Sequence, residues 1–386
     1  MVRRVAMKSF VIQNTAENFL DGIARASATD PTFVFVFADR DFFLNPSFVE
    51  ALKKDLSNAV TIGCSTSGEI GGSRAAKETV VFAGARLEKS KVRVTSAAVS
   101  RLSASGNAGR EIASSLLSPE LKHVLVFAPG TNMDGGVLVE ELRRKLDDGI
   151  GITGGLAGDR IDFRQTYTYL NGEVYMDRAV AIGFYGDSMH FGCGSDGGWR
   201  AFGPARRVTR AEGTVLYELD GKPALQLYRE YLGDKAKDLP SSGLSYPFAI
   251  MNEKRDRTGI IRSALDIDHE KGALILAASV PCGALVCLMH ADRNSLTEGA
   301  VLAARRALQM NGNPSPGGLV IPISCIARWL VMADDIEDET EALSEVFGSK
   351  MAMGGFYSYG EIAPALATGK AEFHNQTMTI TYMTEM

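Results

Sequence analysis

The chain has 386 residues, 45% of them hydrophobic, with 41 Lys and Arg against 46 Asp and Glu for a formal net charge of −5. That length exceeds a single hydrophobic core and suits two domains. The slightly acidic balance gives no electrostatic footprint for nucleic acid, and no stretch reaches the apolar length of a membrane span.

At the start, Arg3 and Arg4 precede a short apolar stretch that Lys8, Gln13, Glu17 and Asp21 interrupt before a signal-peptide core forms, which predicts a cytoplasmic protein. Residues 33–38, a run of Phe and Val, read as a strand buried on both faces. Asn45-Pro46 then supplies an N-cap and an N1 proline, and Phe48, Val49, Leu52 and Leu56 recur at helical spacing. A glycine turn follows, Gly63-Cys64-Ser65-Thr66-Ser67-Gly68-Glu69-Ile70, and then a strand over 78–84.

The series then returns. Residues 123–128 match the first strand, Val139 and Leu142 the helix, 154–159 the turn and 178–185 the closing strand. The correspondence runs at an offset of 90, Leu52 to Leu142, which places Gly68 over Gly158. A third copy starts at 319–323, carries an acidic insertion at 334–339, repeats the turn as Gly355-Phe356-Tyr357-Ser358-Tyr359-Gly360-Glu361-Ile362, and ends in a strand over 373–382 that His374 opens.

Self-similarity of this kind marks one supersecondary unit used repeatedly. The expected fold class is α/β (mixed α+β), with layered sheets and outer helices built from strand-helix-turn-strand units. Between the second and third copies lie a glycine-dense stretch at 190–204, a helix from Pro223 to Tyr228, a helix over 298–308 and a low-complexity bridge at 311–318. That seam predicts two modules, 1–218 and 219–386.

Gly192-Cys193-Gly194-Ser195-Asp196-Gly197 matches the dinucleotide fingerprint in form, but Gly198, Trp199, Gly203 and Pro204 leave no helix to aim at a pyrophosphate. Five scattered cysteines, Cys64, Cys193, Cys282, Cys287 and Cys325, make no disulfide framework, and the spacing of Cys282 and Cys287 does not suit zinc. The two acidic spots, 266–268 and 334–339, read as solvated turns.

A carboxylate recurs in all three turns as Glu69, Asp159 and Glu361, which points to a shared structural job such as satisfying turn amides. The neighbouring side chains diverge, Ser65, Thr66 and Ser67 in one turn against Tyr357 and Tyr359 in another. Such divergence in a fixed turn is where ligand specificity would reside. The candidate ligand-binding residues are therefore Ser65, Thr66, Ser67, Tyr357, Tyr359, Glu361 and, beyond the third turn, Asn375. Among the five histidines, His374 is the one joined closely to a motif.

These turns, with Gly198-Trp199, Phe202-Gly203-Pro204, the run Tyr217-Glu218-Leu219-Asp220-Gly221-Lys222-Pro223, Ser324-Cys325-Ile326-Ala327-Arg328 and His374-Asn375-Gln376-Thr377, resemble the FIST family over nearly the whole chain. The resemblance implies a sensory module with N- and C-terminal halves that binds a small ligand, amino acids among those proposed, and feeds signal transduction. One two-module branch, the NosP proteins, binds heme and senses nitric oxide beside a histidine kinase. For that branch the resemblance implies heme b, His374 as the iron ligand, a histidine kinase as partner and room for a homodimer. A cofactor-free amino-acid or metabolite sensor stays open beside it. So does an enzyme with a pocket between the modules and Cys64 or Cys325 as nucleophile.

Overall fold

The structure is a computed structural model that describes residues 7–311, 318–366 and 368–386. Arg3, Arg4 and residues 312–317 of the bridge lie outside them.

The first unit runs β1 (Lys8–Thr15), α1 (Phe19–Ser27), β2 (Phe33–Ala38), α2 (Pro46–Asp55), β3 (Val60–Ser65), the hairpin β4 (Glu69–Gly71) and β5 (Arg74–Ala76), and β6 (Thr79–Arg86). The second repeats this order with β7 (Lys91–Ala98), α3 (Ser105–Leu116), β8 (Leu121–Ala128), α4 (Gly135–Lys145), β9 (Gly151–Leu156), β10 (Thr168–Leu170), β11 (Glu173–Tyr175) and β12 (Arg178–Tyr185). The third does so again with β13 (Met189–Asp196), α5 (Arg293–Asn311), β14 (Leu319–Cys325), α6 (Ile326–Met332), α7 (Glu337–Phe347), β15 (Ala352–Ser358), β16 (Glu361–Pro364), β17 (Ala371–His374) and β18 (Met378–Glu385).

Each unit builds a four-stranded core, β1-β6-β2-β3 in the first, in which only the βαβ pair, β2 and β3, is parallel. Each sheet is then completed by a hairpin from another unit. β10 of the second unit pairs β3, β16 of the third pairs β9, and β4 of the first pairs β15. The exchange is cyclic, so no unit owns a complete sheet.

Alternation along the strands sorts the side chains. Phe33, Phe35 and Phe37 point inward to a core shared by all three sheets, while Val34 and Val36 pack under α1 and α2 with Ile23, Phe48 and Leu52. At the shared centre Phe37, Phe127 and Phe356 meet with ring centroids 4.8, 5.4 and 6.0 Å apart. Full burial of each ring contributes roughly 1.5–3 kcal/mol. The helices are placed by ordinary caps: Asn45 Oδ1 accepts from Ser47 N ahead of Pro46, and Asp134 Oδ1 accepts from Val137 N.

The duplication holds in element order, with one correction to its register. β2 answers β8 at an offset of 90 (Phe33 to His123), but β3 answers β9 at 91, because the parallel partners are Phe33 with Val60 and His123 with Gly151. The loop after α4 has one extra residue, so Gly158 falls against Ser67 and not over Gly68. The true glycine equivalence is Gly63, Gly154 and Gly355. A Cβ at these positions would come within 1.9, 1.9 and 1.7 Å of the backbone carbonyls of Val36, Val126 and Pro322.

The stretch at 190–204 is not a loose seam. Residues 190–196 belong to β13, which pairs β18, and Gly192 and Gly194 let α5 pack directly on the strand, since Cβ atoms there would sit 1.9 and 2.0 Å from the carbonyls of Ala307 and Ala303. Between β13 and α5 the chain inserts a nine-stranded antiparallel sheet and the helix Ala224–Leu232. The insertion docks on the third unit through Gln376 Nε2, which donates to Leu244 O (2.7 Å) and Ser263 Oγ (2.9 Å). The expected last strand is also two strands, β17 and β18, in different sheets, and His374 ends the first of them.

Candidate functional site

The turns that follow β3, β9 and β15 meet where the three units join. Ser67 N donates to Tyr357 O (2.9 Å) and Tyr357 N to Gly68 O (2.8 Å); Gly158 N donates to Ser65 O (2.8 Å) and Arg160 N to Thr66 O (3.2 Å); Leu156 N donates to Gly360 O (2.8 Å) and Tyr359 N to Leu156 O (3.3 Å). Each turn is thereby bonded to both others in a closed ring.

The ring brings Ser65, Thr66, Ser67, Tyr357, Tyr359 and Glu361 together, and all are buried. Their polar atoms are largely spent inside the protein. Ser65 Oγ donates to Gly158 O (2.6 Å) and accepts from Tyr167 N (2.8 Å), Tyr357 Oη donates to Glu339 Oε1 (2.9 Å), and Tyr359 Oη donates to Asp159. Ser67 Oγ and Asn375 Oδ1 have no partner among the described residues. None of these residues lines the cleft that opens beside the ring.

The shared carboxylate is shared by two turns. Glu69 accepts from Thr66 Oγ1 and from Thr79 N (3.0 Å) and Oγ1 (2.7 Å); Glu361 accepts from Ser358 Oγ (2.7 Å) and from Thr377 N (3.1 Å) and Oγ1 (2.8 Å). Burial pushes their carboxyls up to about 8 and about 7. In the second unit that place is held by Thr168, which pairs Cys64 as Glu69 pairs Phe356 and Glu361 pairs Gly155. Asp159 lies in the turn itself and accepts from the amides of Phe163, Arg164 and Gln165 (3.0, 2.8 and 2.8 Å).

A cleft of about 760 Å³ opens beside the ring at the carboxyl end of β2, lined by Asp39, Asp41, Lys77, Glu78, Thr79 and Arg160 among others. Arg160 Nε and Nη2 donate to the two oxygens of Asp39 (2.7 and 2.9 Å), and Nη2 also donates to Asp41 (2.6 Å). Its guanidinium is thus held charged across the cleft while its amide belongs to the ring. Sequence reasoning passed over these residues. The available signal was the position of Asp39 directly after a parallel strand, where α/β sheets bind ligands.

The FIST N domain matches residues 32–222 of this chain and the FIST C domain residues 224–364. The chain belongs to the FIST family. FIST domains are associated with sensing small ligands in signal transduction. Among relatives, the uncharacterized protein MJ1623 of Methanocaldococcus jannaschii is 32% identical over 365 residues, covering 84% of this chain and 68% of that protein. The uncharacterized protein Rv0628c of Mycobacterium tuberculosis is 27% identical over 251 residues, 63% of this chain, and the match spans 59% of that relative's length. A solved structure, cyanuric acid hydrolase from A. caulinodans, aligns with 98% of this chain and 99% of its own at 10% identity and a TM-score of 0.37.

Within this FIST chain the residues proposed for heme do not fit it. His374 has no solvent exposure, and its Nε2 lies 2.9 Å from Ala363 O. Burial pushes the imidazole down to about 4, and the residue, paired in register with Glu361 across the β16–β17 hairpin, does not line the cleft at Arg160. An axial imidazole needs a nitrogen facing open volume. The thiols named as nucleophiles are equally enclosed: Cys64 and Cys325 are buried, and burial pushes both well above the ordinary thiol range, which keeps them protonated. The acidic insertion is also more than a solvated turn. Glu339, on α7, is fully buried and accepts from Arg328 Nε (3.0 Å) and Nη2 (2.7 Å).

Proposed function

We propose that this FIST chain senses a small zwitterion of the amino-acid class, without a cofactor, in the cleft at Arg160. Both signs of charge line that cleft: Arg160 and Lys77 suit a ligand carboxylate, and Asp41 and Glu78 suit an ammonium group. The observation that carries the reading is the double attachment of Arg160, whose side chain spans Asp39 and Asp41 while its amide bonds Thr66 O in the turn ring. A ligand carboxylate that competes for the guanidinium draws it from Asp39, and the displacement is felt where the three sheets join. That differential contact is what a ligand needs to shift a conformational equilibrium. The receiver of the shift in this reading is a signalling partner such as a histidine kinase.

The test is calorimetric titration of the purified chain with the free amino acids. Saturable binding by at least one, lost in Arg160→Gln and in Asp41→Asn, supports the reading. Absence of binding by any of them, together with a stoichiometric Soret band after addition of hemin, would return the heme-based nitric oxide reading in its place.

A further inference from the structure

A second cavity, of about 460 Å³, shares no lining residue with the cleft at Arg160. It opens where α4 of the second unit, the start of β17 in the third and the insertion meet, and the insertion contributes Arg262 and Ser279. Arg262 is only 8% exposed, and two of its nitrogens are spent on carbonyls: Nε donates to Ser279 O (2.9 Å), and Nη1 donates to Ile261 O (3.0 Å) and Phe373 O (3.2 Å). Nη2 donates to no group among the described residues. It is also not one of the enclosed polar atoms left without a partner, so the exposure that the side chain keeps reaches it. The bonded nitrogens face protein, and the accessible one faces the cavity that the residue lines.

The other cations of the wall are matched, Arg143 with Glu372, Arg144 with Glu140 (2.6 Å) and Lys370 with Asp148 (2.9 Å). Glu372 is also the carboxylate whose charge acts most on Arg262, and Arg143 already holds it. Burial pushes the Arg262 guanidinium down to about 10, which leaves it charged at neutral pH. One buried positive charge is therefore left over, without a carboxylate partner among the described residues. A charge taken out of water is costly until a counter-ion reaches it, and a guanidinium N–H gives an oxyanion a strong, charge-assisted hydrogen bond. One surplus charge suits one negative charge, since the second charge of a phosphate dianion would stand against Glu140, Asp148 and Glu372.

We propose that this cavity binds a small monocarboxylate whose oxygens accept hydrogen bonds from Arg262 Nη2. The site is separate from the cleft at Arg160, and its fate does not depend on what that cleft binds.

The experiment titrates the full chain calorimetrically with benzoate, with benzamide as the uncharged molecule of the same shape, and with inorganic phosphate. The expected result is saturable binding of benzoate and none of benzamide, retained in Arg160→Gln and weakened at least about tenfold in Arg262→Gln. Arg262 also holds three carbonyls, so a second variant acts on the cavity alone. Ser279 is exposed on the wall, and Ser279→Trp fills the space with the guanidinium intact and should weaken benzoate to the same degree. Absence of benzoate binding, equal binding of benzamide, loss of benzoate binding in Arg160→Gln, or an unchanged affinity in Ser279→Trp each overturns the proposal. Phosphate bound in preference to benzoate overturns the carboxylate assignment.

Discussion

Glu69 and Glu361 occupy the same place in two different units: each opens the hairpin that its unit lends to another sheet, and each accepts the amide and hydroxyl of a threonine that begins or immediately precedes its own closing strand, Thr79 or Thr377. The pair ties the exchanged hairpins back to their units of origin. Both carboxyls are fully buried and therefore favour the protonated form.

A pH dependence follows from that burial. From the ordinary value of 4.5 up to about 7 for Glu361 and about 8 for Glu69, the folded chain holds protons that the unfolded chain has released. The contribution is fully present below 4.5 and is lost as pH rises through the folded values. Glu69→Gln and Glu361→Gln imitate the protonated acid and should remove this decline, each by an amount on the order of 3 kcal/mol. Urea denaturation at pH 5, 6.5 and 8 measures it; a double variant with the wild-type slope contradicts it.

The three strand glycines should be irreplaceable for a steric reason. Alanine at Gly63, Gly154 or Gly355 places a methyl within 1.9 Å of a strand carbonyl, and a loss of about 3 kcal/mol or more is expected for each. Gly149, with nothing within 4 Å of its Cβ position, is the control, and Gly149→Ala should melt with the wild type. Comparable melting of all four variants would show that the sheets relax around the added methyl.

Breaking the Arg328–Glu339 pair should be costly in one direction. Arg328 also donates to Gly197 O (2.7 Å) and Leu296 O (2.9 Å), so Arg328→Met leaves a buried carboxylate without its counter-charge, its Oε2 without a donor, and two carbonyls without theirs. A destabilisation of about 3–5 kcal/mol is expected in chemical denaturation. A change below about 1 kcal/mol would mean that water replaces the guanidinium.

Thiol accessibility distinguishes a buried from a reactive cysteine set. Cys282 is exposed, and Cys64, Cys193, Cys287 and Cys325 are buried. Native protein treated with a thiol-reactive dye should label Cys282 rapidly and the other four only on unfolding. Rapid native labelling of Cys64 or Cys325 would revive the nucleophile reading.

The sequence by itself determined the repeated unit, because apolar alternation, Asn45-Pro46 and the recurring glycine turns are local signals that survive in each copy. It also carried the FIST resemblance. Three matters were decided only by tertiary structure. The one-residue shift between β3 and β9 is invisible in composition and appears only when Gly63 and Gly154 are seen against the same carbonyl on the neighbouring strand. The buried state of Glu339 depends on Arg328, since an acidic run reads as solvated until a guanidinium is found inside with it. The cleft residues Asp39 and Arg160 are 121 positions apart and sit in different units. No local pattern couples them; the cyclic bonding of the three turns does, because it fixes the backbone of Arg160 against Thr66 and so delivers its side chain to the end of β2.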